Sequence, residues 1–178
     1  MYLKNLLAIS LLAALMFSSC KKDEKGDTIF FSNGSVTGTI KGTKADNSVL
    51  DETFTWNKYT QIADMPYYKV DPNEVLFNVY FNDEAGNEFS LQFFLSSLTD
   101  NTPGGIHFEL TYYKTTDNSI YRFETWSSGN TAQLSDFSFD SATGKLKCKL
   151  DVSGTNNSTG KNATVTANID VTLKKLEE

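Results

Sequence analysis

Few side chains in this sequence could carry out acid–base chemistry. His107 is the only histidine, and it stands between Ile106 and Phe108 in an alternating segment, on the polar side with Glu109. Glu109 and Glu124 could meet if their strands are neighbours, as the two carboxylates of a glycosidase must, but acidic sheet surfaces commonly offer such pairs. The sequence has no nucleophile elbow, phosphate-binding glycine loop or cysteine pair for zinc. We therefore expect no catalytic residue, no cofactor and no metal, and interpret the protein as not an enzyme.

Two other features, a turn rich in oxygen ligands and a cysteine, are explained by the fold and not by chemistry. Asn82, Asp83 and Glu84, with Asn87 and Glu88, gather oxygen ligands around one turn, as calcium requires. Their spacing misses the calcium-loop pattern, and hairpin turns favour these residue types for their own sake. Cys148 lies in an alternating strand, on the side of its apolar residues, which predicts a buried and unreactive thiol.

Aromatic residues on the polar sides of strands are the candidates for a binding surface. Exposed aromatic rings stack on sugars or contact proteins, because each buries a large apolar area at low entropic cost. The alternative is that these rings lie scattered or are covered by another layer. On this basis we expect a binding or interaction module for a glycan or an envelope protein, through the outward-facing side chains Tyr80, Phe94, Tyr113 and Trp126, with Leu76 opposite Phe94.

The clearest structural signal is a β-hairpin in the middle of the chain. Apolar residues alternate from Val75 to Phe81 and again from Phe89 to Leu95, with turn-forming residues between them. Folding the chain about Ala85 places all of these apolar side chains on one face. A shift of one residue would mismatch the faces, so the pattern predicts its own register, with Phe77 opposite Phe93 and Val79 opposite Leu91.

The remaining segments predict an all-β fold. No segment after residue 20 has a helical period, and some nine or ten strands with one apolar face each indicate an all-antiparallel arrangement. Pro66 and Pro72 predict a long connection without a central strand. We expect an antiparallel β-sandwich; the alternative is a lipocalin-like up-and-down β-barrel, carrying a small apolar ligand in a cavity lined by the faces of Phe77, Phe93 and Phe108.

The N-terminal segment predicts export. Leu6 to Phe17 is an apolar run too short to span a bilayer, which takes about 20 residues, and a basic start precedes it. Phe17-Ser18-Ser19-Cys20 resembles a bacterial lipobox, in which the cysteine is lipidated and the chain is cut before it. Lys22-Asp23-Glu24 resembles the signal that sends lipoproteins of Bacteroidota to the outer face of the outer membrane. The resemblance implies a signal peptide over residues 1–19 and a lipidated Cys20.

The order of a lipobox, a charged segment and an all-β domain is therefore similar to that of small cell-surface lipoproteins of Bacteroidota. It implies a lipid-anchored cysteine and flexible tether over residues 20–34 and a single all-β domain over residues 35–178, held to the outer membrane by the lipid and facing outside the cell. Asp27-Thr28-Ile29 and Asp140-Ser141-Ala142 are similar to the O-glycosylation acceptor of that group, which implies Thr28 and Ser141 as acceptors. The formal net charge of -6 argues against nucleic acid as a partner.

Overall fold

The computed structural model describes residues 32–59, 66–114, 116, 118–126 and 129–176. Within these ranges the chain forms eleven strands and contains no helix long and apolar enough to cross a membrane. The first six strands are β1 (Gly34–Thr43), β2 (Val49–Trp56), β3 (Tyr67–Asp71), β4 (Glu74–Asn82), β5 (Glu88–Leu95) and β6 (Gly104–Lys114). The other five are β7 (Ser119–Glu124), β8 (Thr131–Asp140), β9 (Lys145–Asn156), β10 (Lys161–Thr172) and β11 (Lys174–Leu176).

The strands form two packed sheets, which confirms the predicted β-sandwich. The first sheet has the order β2-β1-β10-β9-β8, and the second has the order β11-β3-β4-β5-β6-β7. The alternative of an up-and-down barrel is wrong, because each sheet keeps two edges of its own. The expected all-antiparallel pairing is wrong at one place, where β11 pairs in parallel with β3. A single residue, Leu173, separates β10 from β11, so the chain passes directly from the first sheet to the second.

The hairpin of β4 and β5 has the register that its alternating apolar residues predict. Phe77 lies opposite Phe93, and Val79 lies opposite Leu91. All four side chains are completely buried, because side chains two residues apart in a strand share one face. The prediction of the register is confirmed.

The core is filled by aromatic side chains, most of them from the second sheet. Phe77, Phe93 and Phe108 are completely buried, and each contacts another ring. The rings of Phe77 and Phe93 stack with centroids 4.8 Å apart, and Phe139 of β8 meets Phe77 edge-on at 4.8 Å. The first sheet offers small side chains in return, such as Ala167 of β10. The ring faces of Phe77, Phe93 and Phe108, which the barrel alternative places around a cavity, therefore pack on other rings.

The strands of the two sheets cross at an angle. Along β8, Phe137 contacts Phe93 of β5 and Phe77 of β4, whereas Phe139, two residues further on, contacts Phe77 and Tyr68 of β3. A single strand of the first sheet thus passes over three successive strands of the second. The direction of β8 therefore differs from that of the strands it covers, as in sheets that pack face to face at an angle.

The segment between Pro66 and Pro72 contradicts the expectation of a long connection. Tyr67–Asp71 forms β3, which lies between β11 and β4. The two prolines stand immediately outside the strand, where a missing N–H removes no hydrogen bond of the ladder. The strand is anchored by Tyr68, which is buried and whose hydroxyl donates a hydrogen bond of 3.2 Å to the carbonyl of Ser141.

Cys148 has the buried position that the alternation of β9 predicts. Its side chain is part of the core, and its burial raises the pKa of the thiol to about 12. A thiol with so high a pKa holds almost no thiolate at neutral pH, and the thiolate is the reactive form. The prediction of a structural cysteine is confirmed.

A pair of opposite charges joins the two sheets near one end of the core. Lys114 at the end of β6 reaches Glu52 of β2, with Nζ and Oε1 2.5 Å apart. The side chains are only 25% and 14% exposed. The Tyr112 ring lies close by, and its pKa is raised by burial first and then by the Glu52 charge. This contact links the edge strand of the first sheet to an inner strand of the second.

Candidate functional site

Trp126 is an exposed aromatic side chain just beyond the end of β7. The ladder between β7 and β6 continues past Glu124, because the Thr125 N–H donates to the Phe108 carbonyl at 3.1 Å and the Phe108 N–H donates to Thr125 Oγ1 at 2.9 Å. This pairing brings Trp126 beside His107, with ring centroids 6.3 Å apart. The Trp126 side chain remains 58% exposed, which is unusual for so large an apolar group.

Two carboxylates stand next to this aromatic pair. Glu109 and Glu124 lie directly opposite each other on the outer face of β6 and β7. The pKa of Glu109 is raised by partial burial first, and then by the negative charges of Glu124 and Glu88, while Arg122 acts in the opposite direction. We call Trp126, His107, Glu109 and Glu124 together the Trp126 site. It combines an exposed ring face with hydrogen-bond acceptors.

The other predicted surface aromatics lie apart from Trp126. Tyr113 stands six residues beyond His107 on β6, a separation of about 20 Å at the rise of an extended strand. Tyr80 lies on β4, three strands away from β7, and its hydroxyl is 3.4 Å from Glu88. The four aromatic residues thus share one face of the second sheet without forming one patch.

Phe94 occupies a separate corner of the same face. It lies opposite Leu76, as predicted, and opposite Gly104 on its other side. A Cβ atom added at Gly105 would stand 2.9 Å from the Phe94 ring, so the ring packs over the start of β6. Phe94 is half-buried by this contact and offers less free surface than Trp126 does.

The turn considered for calcium is organised by hydrogen bonds of its own. Asp83 Oδ1 accepts the N–H groups of Ala85 at 2.8 Å and of Asn87 at 3.1 Å. Asp83 Oδ2 accepts from the Asn87 side-chain amide at 2.6 Å. Among the described residues no three acidic, histidine or cysteine side chains come together as metal ligands would. The residue types of this turn are explained by its fold.

Of the predicted modification sites, only Ser141 lies within the described residues. It is exposed in the turn between β8 and β9, where Asp140 accepts the Ala142 N–H at 2.9 Å and the Thr143 hydroxyl at 2.7 Å. Cys20 and Thr28 lie outside the described residues. Their modification remains a prediction from the sequence.

Sequence reasoning missed the contact between His107 and Trp126, although the signal was present. Once Glu109 is paired with Glu124, antiparallel register requires the residue two before Glu109 to face the residue two after Glu124.

No family model matches this chain, and neither a curated protein nor a solved structure shows significant similarity to it. The function must therefore be argued from the site.

Proposed function

We propose that the protein is a lipid-anchored binding module at the outer face of the outer membrane and that it holds a glycan at the Trp126 site. The observation that carries the proposal is the 58% exposure of the Trp126 side chain beside His107. An exposed indole gives a sugar ring a flat apolar surface, and little side-chain entropy is lost when the two stack. The neighbouring Glu109 and Glu124 would accept hydrogen bonds from sugar hydroxyls.

We propose binding rather than hydrolysis. Glu109 and Glu124 stand on the outer face of a sheet, whereas glycoside hydrolysis needs two carboxylates flanking a bond inside a cleft. Their opposed placement on neighbouring strands suits acceptance of hydrogen bonds from one ligand. The acidic charge of the protein also favours a neutral or cationic glycan over an anionic one at this site.

The test is a glycan array probed with the wild-type protein, Trp126→Ala and Trp126→Phe. We expect Trp126→Ala to abolish binding of every glycan retained by the wild type and Trp126→Phe to preserve part of it. Val49→Ala is the matched control, because Val49 is 79% exposed and lies on the edge strand of the other sheet. Equal binding by wild type and Trp126→Ala would refute the proposed site, and wild-type binding to envelope proteins but to no glycan would refute the proposed ligand.

The anchoring part of the proposal rests on Cys20 alone. We expect Cys20→Ser to move the protein out of the membrane fraction, because durable anchoring requires the acyl chains. Mass spectrometry of the native protein should show an acylated N-terminal cysteine. An unmodified Cys20 would refute the anchor without affecting the glycan experiment.

A further inference from the structure

The outer edges of the two sheets are protected to different degrees. A strand at the edge of a sheet offers unpaired backbone groups to any other strand, and short strands, lysines and bulges prevent such pairing. The edges are β2 and β8 in the first sheet and β11 and β7 in the second. β11 has only three residues, two of which are lysines. β8 is interrupted by a shift of register between Ser135 and Ser138. Both of these edges are therefore poor partners for another strand.

The edge of β7 is covered by asparagines that lie at the ends of β8 and β9. The Arg122 N–H donates to Asn156 Oδ1 at 3.1 Å, and the Arg122 carbonyl accepts the Asn157 N–H at 2.7 Å. The Glu124 carbonyl accepts a hydrogen bond from Nδ2 of Asn130 at 3.1 Å. These bonds occupy backbone groups of Arg122 and Glu124 that would otherwise be open to another strand.

The edge of β2, by contrast, is regular and open. β2 runs for eight residues without a shift of register against β1. The Lys44 N–H donates to the Ser48 carbonyl at 2.9 Å, so this pair is a hydrogen-bonded one. Because hydrogen-bonded and non-bonded pairs alternate, the even-numbered residues of β2 bond to β1 and the odd-numbered ones point their N–H and C=O groups outward. The outward groups belong to Val49, Asp51, Thr53 and Thr55. None of the described residues forms a hydrogen bond with these backbone groups, and all four side chains are exposed.

The side chains of β2 are complementary to a second copy of the same strand. We propose that two copies of this chain pair antiparallel through β2, with Thr53 opposite Thr53 on a twofold axis. In this register Asp51 lies opposite Thr55 of the second copy, whose hydroxyl can donate to the carboxylate. A pairing centred on Asp51 or on Glu52 would set two like charges directly opposite each other, which is destabilising. A centre further along the strand would leave Asp51 beyond the end of its partner.

The hydrogen bonds and charges of β2 agree with this pairing. Hydrogen-bonded pairs exchange two bonds each, so the two edges gain about six backbone hydrogen bonds, and the two five-stranded sheets become continuous. Asp51 already lies 4.0 Å from Lys41 of its own copy, which offsets its negative charge. Glu52 points inward, as residues that block an edge can, but its carboxylate is held by Lys114. Neither carboxylate of β2 is therefore left to repel a second copy.

The first test is disulfide trapping in the full chain. In a hydrogen-bonded antiparallel pair the Cα atoms are about 5.5 Å apart, a distance that a disulfide can span. Thr53→Cys should therefore form a covalent dimer on mild oxidation, whereas the wild type, whose Cys148 is buried, should not. Asp51→Cys and Thr55→Cys should each remain uncrosslinked alone and should crosslink to each other when mixed. The absence of a Thr53→Cys dimer, or equal crosslinking of all three variants alone, would overturn the proposal.

Sedimentation equilibrium measures the dissociation constant of the dimer without any crosslink. Thr53→Pro removes an N–H that has no partner in the single copy, so the fold should be kept while the dissociation constant rises at least tenfold, because each copy loses a hydrogen bond. Thr53→Lys should have at least the same effect, since it sets two positive charges at the axis. Thr37→Lys is the matched control, because Thr37 is exposed on the same face but lies on the inner strand β1, and it should leave the constant unchanged.

Two results would contradict the choice of a second copy as the partner. One is a wild-type protein that sediments as a monomer at every concentration. The other is a wild type that dimerises equally well with Thr53→Pro and Thr53→Lys in place, which would put the interface elsewhere. An extended peptide of another protein that pairs with β2 in a monomeric protein would also overturn the proposal.

Discussion

The ion pair of Glu52 and Lys114 should stabilise the domain measurably, unlike exposed ion pairs. Its charged atoms are 2.5 Å apart, and an effective dielectric constant of about 20 gives a gross attraction of about 7 kcal/mol. The desolvation of two partly buried charges offsets most of that attraction. We expect a net coupling free energy of about 1 to 2 kcal/mol.

A double-mutant cycle measures this coupling. Lys114→Met removes the ammonium but keeps a long apolar stem, and Glu52→Gln removes the charge at constant size. Each single variant should lower the free energy of unfolding by about 2 kcal/mol, because it leaves a partly buried charge or polar group poorly paired. For a domain of this size that corresponds to a fall of about 4 to 8 °C in melting temperature. The double variant should be less destabilised than the sum of the two.

Urea unfolding followed by tryptophan fluorescence is a suitable assay, because Trp56 is only 3% exposed in the folded protein. The matched control is the pair of Lys41 on β1 and Asp51 on β2, next to Glu52 in the chain, which is 4.0 Å apart and about 60% exposed on each side. That pair should show no measurable coupling, as is usual for exposed pairs. The reasoning is refuted if both pairs give the same coupling energy.

Three further predictions concern the core, the close packing within the first sheet and the acidic face. Cys148 should resist a thiol reagent at pH 8 in the native protein and react at once in urea, since burial raises its pKa to about 12; rapid native reaction would contradict this. Gly38→Ala should lower the melting temperature, because the new Cβ would stand 2.4 Å from the Phe54 ring, whereas Gly104→Ala, with no atom nearby, should not. The pKa of Glu109 is raised in the fold, so its contribution to folding stability is complete at low pH and is lost as the pH rises through the folded pKa. Glu109→Gln should therefore flatten the fall in melting temperature between pH 4 and 7. An unchanged pH profile would contradict a raised pKa for Glu109.

The sequence predicted those parts of the fold that depend on neighbouring segments. The hairpin of β4 and β5 has a strict alternation and a short turn, so its register followed from Phe77 and Phe93 without further information. β3 was missed, because Pro66 and Pro72 were interpreted as obstacles although they only flank the strand. The short β11 was missed because its pairing with β3 depends on where the chain crosses between the sheets.

The candidate sites were predictable to a smaller extent. Trp126 was recognised as outward-facing, but its exposure and its contact with His107 depend on how the ladder extends beyond β7.

The pairing of β1 with β10 and of β3 with β11 has a consequence for how the domain reaches its native state. Asn33 and Thr172, which are hydrogen-bonded at the edge of this contact, are 139 positions apart. Both sheets are therefore completed only when residues 161–176 are present. Contacts between such distant segments slow folding, because a long loop must close before they form. The domain should therefore close late in folding, as one event, after residues 161–176 have been synthesised.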